Sequence, residues 1–257
     1  MSDQAAERRV YIKQTTRAVA QDAAEAFVRL TRQAASVGAP FRVALSGGST
    51  PKLLYNILVS DAFRNEVPWD AVDFFFGDER WVPQDDPASN YKLANDELFL
   101  PLNISRTNIH PIPTENVSTE ESARRYEDTI RQVFDLRQDD VPRFDLIFLG
   151  MGDEGHTASL FPHTAVLHDN EHLVAPTYVE KLSANRITLT PLTLNAAANV
   201  IFMVGGGGKA EALTQVLEGE YNPDEYPSQL LSNSLGSVTW LVDKDAASAL
   251  EGEYPEA

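Results

Sequence analysis

The chain has 257 residues, with 21 Lys and Arg against 38 Asp and Glu, a net charge of −17, and 43% hydrophobic residues. So acidic a surface repels phosphate backbones and anionic headgroups, which excludes nucleic acid and membrane as partners, and the ordinary composition excludes a disordered chain. There is no cysteine, which excludes disulfides, thiolate nucleophiles and sulfur-ligated metals and suits a cytoplasmic protein.

The opening string MSDQAAERRVYIK lacks the apolar centre of a secretory signal, and no run approaches the ~20 apolar residues that span a bilayer. Residues 1–257 are read as a single domain, large enough to bury roughly 70–75% of its unfolded surface. In chain order, Arg9–Ile12 is a first strand, and Val19, Ala23, Ala26, Phe27, Leu30 and Ala34 fall at helical spacing before Gly38. Phe41–Leu45 is a second strand, followed by Thr50 as a helix N-cap with Pro51 at the first helical position. Val72–Phe76 is a third strand, and Glu120–Phe134 is a helix with Tyr126, Ile130 and Phe134 on one stripe. Phe144–Leu149, Ile187–Leu189, Val200–Val204 and Val238–Val242 are the remaining strands, and Glu251–Ala257 reads as a frayed tail. Apolar strands alternating with helices give an α/β fold, an open, mostly parallel twisted sheet with helices on both faces.

Four segments gather chemistry after predicted strands, where open parallel sheets bind their ligands. Ser46-Gly47-Gly48-Ser49-Thr50-Pro51 offers free backbone N–H groups and a helix start to an anion. Its plain alternative is an ordinary strand-to-helix turn, and its spacing matches neither a Walker loop nor a dinucleotide fingerprint. Gly77-Asp78-Glu79-Arg80-Trp81 places three charges just past an apolar strand. There Asp78 can orient a histidine or take a proton, and Arg80 can grip an anionic or hydroxylated substrate, unless the two simply pair with each other.

The third segment runs from Gly150 through Pro162 and sets His156 among glycines and the carboxylates Asp153 and Glu154, before a short helical start. A histidine titrates near neutrality and serves as a general base, although most lone histidines are structural. His110, His163, His168 and His172 have no comparable setting. The fourth group is basic: Arg186 opens a strand, and Lys209 follows Gly205–Gly208. Each alone is more often a solvated charge, but together with the first loop they supply the local positive potential that a phosphate needs in an acidic protein. No cysteine is available as a metal ligand, and no metal and no organic cofactor is expected.

Leu45 through Pro51, Gly77 through Arg80, Ser89-Asn90-Tyr91, Gly150 through Pro162, Arg186 through Thr190 and Gly208-Lys209-Ala210 resemble the 6-phosphogluconolactonase family, in the right order from about Leu45 to Asp243. The resemblance implies a fold similar to glucosamine-6-phosphate deaminase. It implies hydrolysis of 6-phospho-D-glucono-1,5-lactone to 6-phospho-D-gluconate in the pentose phosphate pathway, without a cofactor. It puts the phosphate on Gly47, Gly48, Ser49 and Thr50 with Arg186 and Lys209, and makes His156 the base, with Asp78 or Glu154 orienting it and Arg80 or N–H groups steadying the oxyanion.

The family pattern has aspartate two residues before the histidine, where this chain has Glu154. The related deaminases carry glutamate five residues after it, where this chain has Phe161. The alternatives are an enzyme of that deaminase or isomerase type, or a non-catalytic sugar-phosphate-binding module. A regulator of the second kind needs a basic DNA-binding part that the chain does not supply. The sequence leaves the oligomeric state open and is compatible with a monomer.

Overall fold

In the computed structural model, which describes residues 8–255, the apolar runs become β1 (Arg8–Lys13), β2 (Phe41–Leu45), β3 (Val72–Phe76), β5 (Leu146–Leu149), β8 (Asn199–Val204) and β9 (Ser237–Asp243). These six pair in the order β1-β9-β8-β5-β2-β3, and every pairing is parallel. Parallel strands need crossovers that cover the faces of the sheet, so the central strands β5 and β8 are buried on both faces. Side chains of β3 show the consequence. Phe74 packs toward Trp69 and Phe99. Phe75 points the other way, to Tyr126, Phe134 and Phe144.

Helices α1 (Thr16–Ser36) and α2 (Ser49–Leu58) pack on one another, and Phe27 of α1 reaches Phe41 and Trp69 on the Phe74 side. Thr15 caps α1 by accepting from the Ala18 N–H. The opposite face is covered by α5 (Thr119–Phe134), whose Tyr126 is fully buried and whose hydroxyl bridges the N–H and C=O of Phe76. Ser118 caps this helix through the Glu121 N–H. The chain between β3 and α5 forms α3 (Asn90–Ala94), a π-turn over Asn95–Phe99 and α4 (Leu100–Leu102); α6 (Pro191–Ala196) and α7 (Ala210–Glu218) complete the helices used below.

Four expectations are corrected. Ile187–Leu189 is not part of the parallel sheet: it lies in β7 (Ala184–Leu189), the middle strand of a separate antiparallel sheet with β4 (Asp78–Arg80) and β6 (Val174–Val179). The charged string of β4 has no apolar alternation, and Pro176 interrupts β6, which is an edge strand where proline is tolerated. Thr50 does not cap α2: the cap is Gly48 at φ +108°, and its carbonyl accepts from Lys52 N–H, so the helix starts at Ser49. No helix starts directly after His156; a turn closes through the Leu160 N–H to the Thr157 carbonyl.

The tail is not frayed through Tyr254. Glu218 accepts from the N–H groups of Glu251 and Gly252 and from the Tyr254 hydroxyl, and Ile12 N–H donates to the Pro255 carbonyl. Residues 1–7, where most of the opening string falls, and Glu256 and Ala257 lie outside the described residues. Among the described residues no helix is long and apolar enough to cross a membrane.

Candidate active site

The strand order creates a switch point. From β2 the chain continues to β3 on one side, whereas from β5, its neighbour on the other side, it continues by way of the small sheet to β8 beyond. The loops leaving β2 and β5 therefore diverge and open a crevice at the carboxyl ends of the strands. Gly47, Gly48, Ser49 and Thr50 line this crevice together with Gly150, Gly152, His156, Asp78, Arg80, Gly205 and Lys209, around a cavity of about 270 Å³. Segments more than 150 residues apart, such as Gly47 and Lys209, thus share one wall. A larger cavity of about 700 Å³ lies beside it; it shares Glu154 and Phe161 with the surroundings of His156 but none of the glycine loops.

His156 is held on three sides. Its ring stacks on Phe161, with centroids 4.0 Å apart and planes 20° apart. Gly152 lies flat against the imidazole: a Cβ there would fall 2.0 Å from the ring Cε1 and Nδ1 atoms. Glu154 Oε2 is 3.3 Å from Nδ1, near enough for charge attraction but not aligned as a hydrogen bond, so Nδ1 is buried without a hydrogen-bond partner. With Nδ1 enclosed, Nε2 is the ring nitrogen left to face the cavity. Burial pushes the His156 pKa below the ordinary histidine value; Glu154 and Asp78 oppose the shift and Lys209 adds to it. Burial pushes the Glu154 carboxyl up, but the hydrogen bond from Lys181 at 3.1 Å and the His156 and Lys181 charges outweigh it, leaving Glu154 below its usual range.

The small sheet carries Asp78 to the cavity. Asp78 is buried, and its carboxylate accepts from Ser159 Oγ at 2.7 Å and from Asn90 Nδ2 at 3.1 Å. The neighbouring Glu79 points away and accepts from the N–H groups of Arg80, Asn90 and Tyr91 and from Ser89 Oγ, at the start of α3. Burial raises its pKa against those hydrogen bonds, and the Asp78 charge adds to the rise. Glu79 is thus a structural anchor. Arg80 and Arg186 stand opposite one another in the antiparallel pairing, so their side chains share a face. Arg186 is not among the residues lining the cavity; it lies behind Arg80, where burial and the Arg80 charge lower its pKa and Asp78 and Glu79 partly restore it. Lys209 does line the cavity, with its Nζ on Asp153 Oδ1 at 2.6 Å.

Sequence reasoning gave no role to Asn90, Ser159 or Ser46. Asn90 donates to both the carbonyl and the carboxylate of Asp78, and its Oδ1 lies where a Cβ of Gly47 would be, 1.8 Å away. Glycine at position 47 is therefore required by Asn90 as well as by any anion. The Ser89-Asn90-Tyr91 string was visible, but only the pairing of β4 shows what it serves. Among the described residues nine buried side-chain polar atoms lack a hydrogen-bond partner, and Ser46 Oγ, Arg80 Nε, Asn90 Oδ1, His156 Nδ1 and Arg186 Nε are five of them. Of these residues Ser46, Arg80 and His156 line the crevice, and unsatisfied polar groups gathered there mark a site made for a polar ligand. Among the described residues no group of three or more His, Asp or Glu side chains is arranged to hold a metal ion.

The family model described as glucosamine-6-phosphate isomerases/6-phosphogluconolactonase matches residues 14–240. A 6-phosphogluconolactonase of Synechocystis sp. is 39% identical over 208 residues, 81% of this chain and 84% of that protein. One of Nostoc sp. is 40% identical over 210 residues, 82% and 85% of the two. The solved 6-phosphogluconolactonase of Trypanosoma cruzi superposes with a TM-score of 0.85 at 28% identity, over 97% of this chain and 99% of that one. A monomeric glucosamine-6-phosphate deaminase shares the fold, with a TM-score of 0.78 at 22% identity, over 94% and 99%.

Proposed function

The chain belongs to the glucosamine-6-phosphate isomerase/6-phosphogluconolactonase family, and on that premise we propose that His156 is the general base with which it hydrolyses 6-phospho-D-glucono-1,5-lactone to 6-phospho-D-gluconate. That hydrolysis is a step of the pentose phosphate pathway, and the substrate is a phosphorylated sugar lactone. The observation that carries the role of His156 is its enclosure: Phe161, Gly152 and Glu154 fix the imidazole while it still lines the glycine-walled cavity.

The chemistry follows from that placement. For Nε2 to accept a proton, Nδ1 must carry the hydrogen, and Glu154 is the carboxylate within reach of it. Nε2 takes a proton from water as the water oxygen attacks the lactone carbonyl. The carbonyl electrons move onto oxygen, and Arg80 or the loop N–H groups stabilise that oxyanion. Collapse of the tetrahedral intermediate expels the ring oxygen, which collects the proton from the imidazolium and leaves an open-chain hydroxyl and a carboxylic acid. Glu154 and Asp78 both stabilise the imidazolium that exists between these steps.

The phosphate belongs, in this reading, on the Gly47–Thr50 loop with Lys209, and Arg186 adds charge from behind Arg80. Free N–H groups at the start of α2 and two cations offset the repulsion of a −17 protein for an anion. The absence of cysteine supports a cytoplasmic location. The test is lactone loss measured against the uncatalysed background for the phosphorylated and unphosphorylated lactones in parallel. A large excess for the phosphorylated substrate supports the reading, and equal rates on both contradict it.

A further inference from the structure

We infer that Asp153 is a built-in competitor for the substrate's phosphate, holding Lys209 until the incoming anion displaces it and so weakening phosphate binding at the site. The inference rests on the reading that Lys209 receives the phosphate. Lys209 lines the catalytic cavity, but Asp153, which pairs with it at 2.6 Å, does not. The Lys209 side chain is 26% exposed and that of Asp153 is 72% exposed, so the carboxylate approaches the ammonium from the solvent side. Among the described residues the Asp153 side chain makes no other hydrogen bond or ion pair. The contact is therefore specific to the lysine, and nothing else holds the carboxylate there. Gly208 leaves the approach open, because even an added Cβ would stay 4.0 Å from Asp153 Oδ1.

Two charges determine the competition. A carboxylate offers Lys209 one negative charge, and a phosphate monoester offers ~1.5 to 2 at neutral pH. A phosphate therefore exchanges the existing pair for a stronger one, at the cost of breaking the pair. Because the pair is largely solvated, its removal should shift affinities modestly, by about two- to fivefold.

The test is calorimetric binding of inorganic phosphate, 6-phosphogluconate and acetate at low ionic strength to the wild-type chain and to Asp153→Asn, Asp153→Glu and Lys209→Gln. Asp153→Asn should bind phosphate and 6-phosphogluconate about two- to fivefold more tightly, and acetate by the same factor, because the pair displaced is the same for every anion. Asp153→Glu, which keeps the carboxylate, should stay near wild type, and adding Asp153→Asn to Lys209→Gln should give no further gain. If Asp153→Asn binds phosphate no more tightly while Lys209→Gln weakens it, the competition is wrong and the phosphate reading stands. If Lys209→Gln binds phosphate like wild type, the phosphate reading itself fails, and the competition falls with it.

Discussion

The imidazole of His156 lies on the ring of Phe161, 4.0 Å between centroids and 20° between planes. Phe161 therefore gives the base an apolar wall at the position where, by resemblance, the deaminases carry a glutamate. A phenyl ring can neither protonate a sugar ring oxygen nor accept a proton, so ring-opening and amine chemistry lack their acid. Incubation with glucosamine 6-phosphate should release no ammonia above background. Ammonia release at a rate comparable to lactone hydrolysis would move the chain to the deaminase side of its family.

Gly152 should be as sensitive as a catalytic residue although it has no side chain. A Cβ at that position would lie 2.0 Å from the imidazole, so Gly152→Ala must push the ring out of place. A displacement of about 1 Å at a reacting group costs on the order of 10²-fold in rate. The expected result is a kcat lower by about that factor with an unchanged far-UV spectrum and unchanged product binding. A variant with normal kcat would show that His156 need not stand where it does.

The pH profile should carry the mark of burial. His156 works as a base only when neutral, and burial lowers its pKa, so the acid limb of kcat/KM should lie below the ordinary histidine value. Glu154 opposes that shift, so Glu154→Gln removes a stabiliser of the imidazolium and the limb should move to still lower pH. The plateau should fall as well, on the order of tenfold for each pKa unit of imidazolium stabilisation lost. Movement of the limb to higher pH would show that Glu154 does not act on His156.

Arg186 tests whether a residue outside the cavity lining serves the phosphate. Its Nε is buried without a partner, and it faces Arg80 across the small sheet. Arg186→Ala should lower kcat/KM for the phosphorylated lactone by about 10- to 100-fold, the worth of one charged hydrogen bond, and leave the unphosphorylated lactone nearly untouched. Equal losses on both substrates would assign Arg186 to holding Arg80 instead.

The parallel sheet was legible because its strands are short, mostly apolar runs, continuous in β5 and from Val200 on in β8, and β2 and β3 have the bounds read from the sequence. The crevice was legible because glycines after apolar strands have few other uses. The small antiparallel sheet was not, since β4 is a charged tripeptide that becomes a strand only by pairing with β7, and β6 contains a proline. The same gap hid Asn90 and Ser159, whose role exists only once β4 presents Asp78 to them. The Lys209–Asp153 pair is a contact over 56 positions that no local pattern encodes.

The central claim, that His156 moves the proton, is tested most directly by His156→Asn, which keeps the ring position polar and near its original size. Steady-state hydrolysis of 6-phospho-D-glucono-1,5-lactone, corrected for spontaneous hydrolysis, should fall by ~10²–10⁴-fold, the usual worth of a positioned base. Calorimetric binding of 6-phospho-D-gluconate to the same preparation should remain nearly unchanged. Near-normal turnover in a variant that still binds product would contradict the account.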